Sequence, residues 1–419
     1  MSSRYSFKSH WRQLLIFLSI MGPGIITANV DNDAGGITTY SVAGAHFGYS
    51  LLWSFVPIIF ALFVIQEMAS RMAVVTGKGL ADLIREEFGV KVTFYSMIVL
   101  ILANFGNVMA EFSGIAASAD LFGINRALVV VACAFFVWIL VVKGNYKSVE
   151  KIFLGACVFY ISYIISGFMT KPDWSMIAHE TFHPKLSWNQ AYLAMLIGVV
   201  GTTIAPWMQF YQQAAVVEKG IKPKDYAYHR LDIIMGAFVV NIVAFFIIIV
   251  CAGTLFKNGV VIETAKDAAL ALKPLAGEYC YLLFAFGLFN ASLFAASILP
   301  LSTAYSVCEG MGWESGVNKT FKNAPQFYSL YTGIIIFGAL FVLLPRVPLV
   351  KIMLFSQVAN GILLPFILIL MLRLINNKRL MGDQVNGRVY NVIAWSTVVV
   401  MIGLSVALLF FSIKLPFAH

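Results

Sequence analysis

Residues 28–40, ANVDNDAGGITTY, set two carboxylates, Asp31 and Asp33, beside Asn32 and the small residues Ala34, Gly35 and Gly36. The stretch interrupts an otherwise apolar segment. A carboxylate at the centre of a membrane helix costs about 2.5–3.5 kcal/mol on insertion scales, so each needs a compensating partner. Gly35 and Gly36 favour an unwound turn whose freed carbonyls face the carboxylates, with two half-helix ends pointing inward. Carboxylate and carbonyl oxygens together make a cation site, and the lack of Lys or Arg in the break disfavours an anionic substrate. The competing reading is structural: Asp31 or Asp33 serves only as the N-cap of the second half-helix.

A second interruption, GTTIAPWMQ at 201–209, offers hard oxygens from Thr202, Thr203 and Gln209, with Gln212 and Gln213 following. Pro206 lacks an N–H and frees the carbonyl one turn earlier, near Thr202. Met208 is either a soft ligand or packing, and packing is the ordinary role. Paired breaks in corresponding segments point to a midplane binding site in secondary transporters.

The elements that position these breaks are membrane helices. The 419 residues are 60% hydrophobic and 12% charged, with a mean hydropathy of +0.84. Apolar runs long enough to cross a bilayer recur, and the period-2 alternation of a barrel is missing, so an all-α polytopic membrane protein is expected. The segments fall at about 14–45, 50–76, 92–118, 126–142, 152–170, 190–218, 231–255, 275–307, 326–344, 350–373 and 390–413. The broken segments are the first and the sixth. This spacing implies two five-helix units in inverted orientation, at about 14–170 and 190–373, with an extra helix at 390–413 in a single domain.

The net charge of +9 does not signal a nucleic-acid partner. With a cytoplasmic N-terminus, 19 of the 29 Lys and Arg residues fall on inside segments, which is the positive-inside rule. An odd number of spans then puts the C-terminus outside. The five cysteines are scattered singly and are expected to pack. The signal-like start, ending in a cleavage-like ITA, is read as an uncleaved first span because the carboxylates follow at once. HETFH, 179–183, matches HExxH in form, but it lies in an external loop with Pro184 directly after, so a zinc site is rejected. With no Walker loop, dinucleotide fingerprint or nucleophile–base pair, neither an enzyme nor an ATP-driven pump is expected, and no cofactor is implied.

GPGIITANVDNDAGGITTYSVAGAHFGYSLLW, TGKGLADLIREEFG, MAEFSG, APWMQFY, FSQVANGILLPF and RLMGDQVN resemble, in order and spacing, the Nramp family of divalent-metal transporters over nearly the whole chain. The resemblance implies a LeuT-type fold of eleven helices with the ion between the first and sixth segments. It carries the metal-binding aspartate onto Asp33. Asp33-Ala34-Gly35-Gly36 stands where the family has Asp-Pro-Gly-Asn, and Ala205-Pro206-Trp207 where it has Met-Pro-His. Gly36 and Ala205 thus replace two ligands, and the loss of a thioether removes the preference for soft metals. The implied site is a larger, oxygen-lined cavity, which suits Mg²⁺ with retained waters. This pattern resembles the family's Nramp-related magnesium transporter branch, with Mn²⁺ as a second cargo. Gln357 on the tenth segment matches a glutamine that approaches the ion, and Asn360 is a weaker candidate.

On the third segment, Val108 replaces one carboxylate of the family's acidic pair while Glu111 keeps the other, and on the sixth Trp207 replaces its histidine. Obligatory proton coupling is therefore not expected. Glu67 and Arg71, at i,i+4, are expected to pair with each other. Asp232 and Asn241 are read as packing, and Asn104 and Asn107 as support for a water path near Glu111. The divalent cation and the lipid bilayer are the expected partners, with no obligatory protein partner. Short loops and the lack of an organellar presequence suggest a bacterial inner membrane. Rival readings are a proton-coupled Mn²⁺/Fe²⁺ importer, a sodium-coupled amino-acid transporter on the same fold, and a channel or sensor.

Overall fold

A computed structural model of the chain describes residues 30–143, 157–317 and 319–414. The first half of segment one, the start of segment five and the signal-like N-terminus lie outside the described residues. Every expected segment is helical over its described part. The helices are Ala34–Phe47, Phe55–Thr76, Leu80–Leu121, Arg126–Val142, Ile161–Met169, Gln190–Thr203 with Pro206–Lys219, Tyr226–Thr254, Cys280–Met311, Pro325–Val342, Leu349–Ile375 and Arg388–Lys414. Eight helical stretches among the described residues are long and apolar enough to cross a membrane, and Arg126–Val142 is a shorter apolar helix.

The surface is apolar where a soluble protein's would be polar. Phe60, Leu102, Phe135, Phe337, Phe355 and Val399 are exposed, while Gln66, Asn104, Glu111, Gln209, Gln212 and Asp232 are buried. Side chains that lipid cannot hydrate turn inward, and those that lipid accepts turn outward.

The helices pair as two inverted repeats require. Segment three runs along segment eight; the second half of segment one packs on segment seven, and the second half of segment six packs on segment two. Exchanging the repeats interchanges the last two pairings. Close approach at the centre rests on small residues. A Cβ on Gly114 would overlap Ser292 Oγ, and it would also press on Ala34 Cβ. Gly114 therefore lets segment three touch segment eight and the first break together, one turn from Glu111.

Two boundaries differ from expectation. The helix of segment three begins at Leu80 rather than 92, because LADLIREEF forms its own amphipathic helix before a bend at Gly89, whose φ of +80° suits glycine alone. HETFH lies mainly on a short helix, Trp174–Phe182, not in an irregular loop. Its zinc reading fails on geometry as well. Lys185 Nζ holds Glu180 at 2.6 Å, and the rings of His179 and His183 stack at 4.2 Å.

Glu67 and Arg71 pair as expected, at 3.1 Å. Arg71 also donates to the Gln384 carbonyl at 2.9 Å, to the Val385 carbonyl at 3.2 Å and to the Asn386 side chain. One guanidinium thus ties segment two to the loop between segments ten and eleven. Lysine keeps the charge but cannot satisfy this fan of acceptors. Arg71→Lys is expected to lower stability by about 1–2 kcal/mol, read as an earlier melting midpoint of the detergent-purified protein.

Candidate metal centre

The break in segment one is short. Val30 and Asp31 end one helical stretch, Asn32 and Asp33 lie outside the helix, and Ala34 begins the next. The unwound residues are therefore not the glycines. Gly35 and Gly36 sit inside the second half-helix, so Gly35's carbonyl belongs to the helical ladder rather than to an unwound turn. Asp33, not Asp31, is the cap: its Oδ1 accepts from Gly36 N at 2.6 Å, and its carboxylate also takes the Gly35 N–H.

This cap explains which oxygens are released. In an unbroken helix, Gly35 N and Gly36 N would serve the carbonyls of Asp31 and Asn32. With both donors turned to Asp33, those two carbonyls lose their ladder partners. The Asp31 carbonyl lies against Gly36, where a Cβ would fall 2.5 Å from it and 3.1 Å from Thr202 Oγ1. The expected enlarged cavity at Gly36 is thus absent. The space holds a backbone oxygen and a hydroxyl brought together from the two broken segments.

The carboxyl of Glu111 reaches the same place from segment three. Its Oε2 accepts from Ala34 N at 3.2 Å, and it lies within hydrogen-bonding reach of the Asp33 carboxyl. Asp31 Oδ1 and Oδ2, Asn32 Oδ1 and Glu111 Oε1 are buried with no hydrogen-bond partner among the described residues. Buried oxygens are ordinarily satisfied. Such a concentration of unanswered acceptors around one break is the arrangement a cation would satisfy.

Segment six breaks at Ile204 and Ala205. Ile204 N closes the first half on the Val200 carbonyl at 2.8 Å, and Pro206 at the first position of the second half offers no N–H to Thr202. Thr203 turns elsewhere: its hydroxyl donates to the Val199 carbonyl at 2.8 Å and meets Tyr40 OH at 2.7 Å, tying the broken segments together. Met208 Sδ accepts from Ala205 N at 3.3 Å and so caps the second half-helix. Gln209 Nε2 reaches the Ala205 carbonyl at 3.3 Å, while its Oε1 is buried without a partner among the described residues. Trp207 is buried, and its carbonyl takes Ser302 Oγ at 3.3 Å.

Gln357 lies directly over Gly35, where a Cβ would overlap its Nε2. Its Oε1 accepts from Asn360 Nδ2 at 2.9 Å, and Asn360 exchanges two hydrogen bonds with Asn107, at 2.9 and 3.1 Å. Asn104 donates to Thr303 Oγ1 at 2.8 Å. These asparagines make direct side-chain pairs across helices. Asn241 bonds back to its own Ala237 carbonyl at 2.8 Å, as a packing residue does. Asp232 faces His229 at 3.7 Å.

Two participants were missed from sequence. Tyr160 OH donates to the Asn32 carbonyl at 2.7 Å, and Tyr40 binds Thr203. A tyrosine in an apolar segment gives no signal until the fold shows what it faces.

A family model described as "Natural resistance-associated macrophage protein-like", Nramp, matches residues 24–411. This chain belongs to the Nramp family. It is 27% identical over 407 residues to the "Divalent metal cation transporter MntH" of Yersinia enterocolitica, covering 94% of this chain and 95% of the relative. The MntH of Bacillus subtilis is 27% identical over 410 residues, covering 95% and 93%. Among solved structures, an Eremococcus coleocola manganese transporter aligns with a TM-score of 0.78 at 23% identity, covering 96% of this chain and 87% of that one. The fold is therefore the LeuT-type fold with broken first and sixth helices, and this Nramp protein is a multi-pass membrane transporter rather than an enzyme.

Proposed function

We propose that this protein imports hard divalent cations, chiefly Mg²⁺ with Mn²⁺ as a second cargo, by alternating access around the two breaks and without obligatory proton coupling. The observation that carries this reading is the donor set. The Asp33 carboxylate, the Asp31 carbonyl and Thr202 Oγ1 meet around Gly36, and each of these donors is oxygen. At the second break, Met208 Sδ accepts the Ala205 N–H, and Met353 Sδ on segment ten accepts from Thr38 Oγ1 at 3.3 Å. Oxygen donors select hard cations, and Mg²⁺ keeps waters of its own to complete an octahedron. Gln357 Oε1 accepts one hydrogen bond, from Asn360, and its second lone pair is available to a cation. The names of the MntH relatives support the cation class.

The absence of obligatory proton coupling is supported by segment three. Asp33 and Glu111 can share a proton, but the next polar residues on that face, Asn107 and Asn104, are amides bonded to Asn360 and Thr303. Amides do not titrate, so the segment offers no onward carrier along this face. In liposomes carrying a pH dye, metal entry is expected without internal acidification under an inward proton gradient. Metal-dependent acidification would restore the proton-coupled Mn²⁺ reading. Tenfold excess Mg²⁺ is also expected to suppress Mn²⁺ uptake by more than half; indifference to Mg²⁺ would refute its primacy. The charge distribution supports a cytoplasmic N-terminus and an outside C-terminus in a plasma membrane, with repeats near 14–170 and 190–373. Membrane voltage supplies about 2.3 kcal/mol per charge per 100 mV, enough to drive entry of a dication unaided.

A further inference from the structure

We propose that Tyr160 determines specificity by withholding a ligand, so that the site takes Mg²⁺ and excludes Ca²⁺. This inference rests on the cation reading above. The break in segment one releases two adjacent carbonyls, those of Asp31 and Asn32, because Asp33 takes the two N–H groups that would otherwise hold them. The two then meet different fates. The Asp31 carbonyl faces Gly36 and Thr202 at the meeting of the broken segments. The Asn32 carbonyl receives the hydroxyl of Tyr160, from segment five, at 2.7 Å.

Tyr160 and Asn32 are both buried. The difference matters because the two ions count ligands differently. Mg²⁺ needs six oxygens in a tight octahedron and supplies several as retained waters, whereas Ca²⁺ takes six to eight oxygens at longer distances and favours protein donors. Freeing the Asn32 carbonyl adds a backbone donor beside one already present. The buried and unanswered Asn32 Oδ1 stands next to it. The break would then offer the crowded, flexible set of oxygens that suits Ca²⁺. Tyr160 is thus a positioning residue: it acts on the ion through the backbone of Asn32.

The test is uptake of Mg²⁺ and of Ca²⁺ into proteoliposomes by the parent, Tyr160→Phe and Tyr163→Phe. Phenylalanine removes one oxygen and keeps the ring, and Tyr163 is a second buried tyrosine of the same segment. The expected result is a rise of about tenfold in the Ca²⁺-to-Mg²⁺ ratio for Tyr160→Phe, with the parent ratio kept by Tyr163→Phe. Tyr160→Met, a flexible filler of the same slot, gives the same reading if the phenylalanine variant fails to fold. An unchanged ratio, or equal loss of both ions, overturns the inference. If the parent moves no Mg²⁺, the cation reading fails instead, and the Tyr160 claim is then judged by Ca²⁺ against Mn²⁺ binding: a Tyr160→Phe shift toward Ca²⁺ sustains it, and no shift refutes it.

Discussion

Asp33→Ala is expected to reduce metal uptake to the background of empty liposomes, a loss of at least about 100-fold, the scale of removing a preorganised charged group from its site. Two roles meet in this carboxylate. It caps the second half-helix through Gly36 N, and it stands beside the Asp31 carbonyl, Thr202 and Glu111. Losing the cap costs about 0.5–2 kcal/mol, which a folded helical bundle can absorb. Asp33→Asn separates the roles, because an amide oxygen still accepts from Gly36 N but carries no charge. Both variants should fold, with Asn closer to the parent in melting temperature, and neither should transport. Substantial transport by Asp33→Asn would show that this residue is a cap and that the cation is held elsewhere.

Gly201→Ala is expected to cut transport at least about tenfold by a different route. The first half of segment six crosses segment ten at glycines on both sides. A Cβ on Gly201 would overlap the Gln357 carbonyl and the Gly361 nitrogen, and a Cβ on Gly361 would overlap the Ile197 carbonyl. Backbone meets backbone there, as at other small-residue crossings in membranes. One added methyl must push the helices apart, since a backbone carbonyl cannot rotate away as a side chain does. Overpacking of this kind costs about 1–3 kcal/mol. The functional cost is larger, because Gln357 on segment ten lies over Gly35 and Thr202 follows Gly201 directly. Uptake should fall at least about tenfold, since each 1.4 kcal/mol of misplacement is a factor of ten. A variant with parental uptake would mean that this crossing does not set the site.

Sequence spoke most clearly where physics leaves one solution. Carboxylates in an apolar segment demand a break, Pro206 demands a helix start, and Glu67 one turn from Arg71 demands a pair; all three stand in the structure. The errors concern where a short break places its residues. Gly35 and Gly36 look like the unwound turn, yet Asp33 is the better N-cap, so the helix restarts before them. Their smallness serves close approach instead, to Gln357 at Gly35 and to the Asp31 carbonyl at Gly36. Counting lost ligands suggested a roomier site, but a missing side chain in a packed interior is filled by a neighbour. Tyr160, Tyr40 and the Asn107–Asn360 pair are contacts between distant segments, which no local pattern announces.

The most direct test of the central claim is Mg²⁺ entry into proteoliposomes that contain a magnesium indicator, at an inside-negative potential and equal pH on both sides. The account predicts entry that grows with the potential. Vesicles that admit Mn²⁺ but no Mg²⁺ would contradict it and return the site to transition metals.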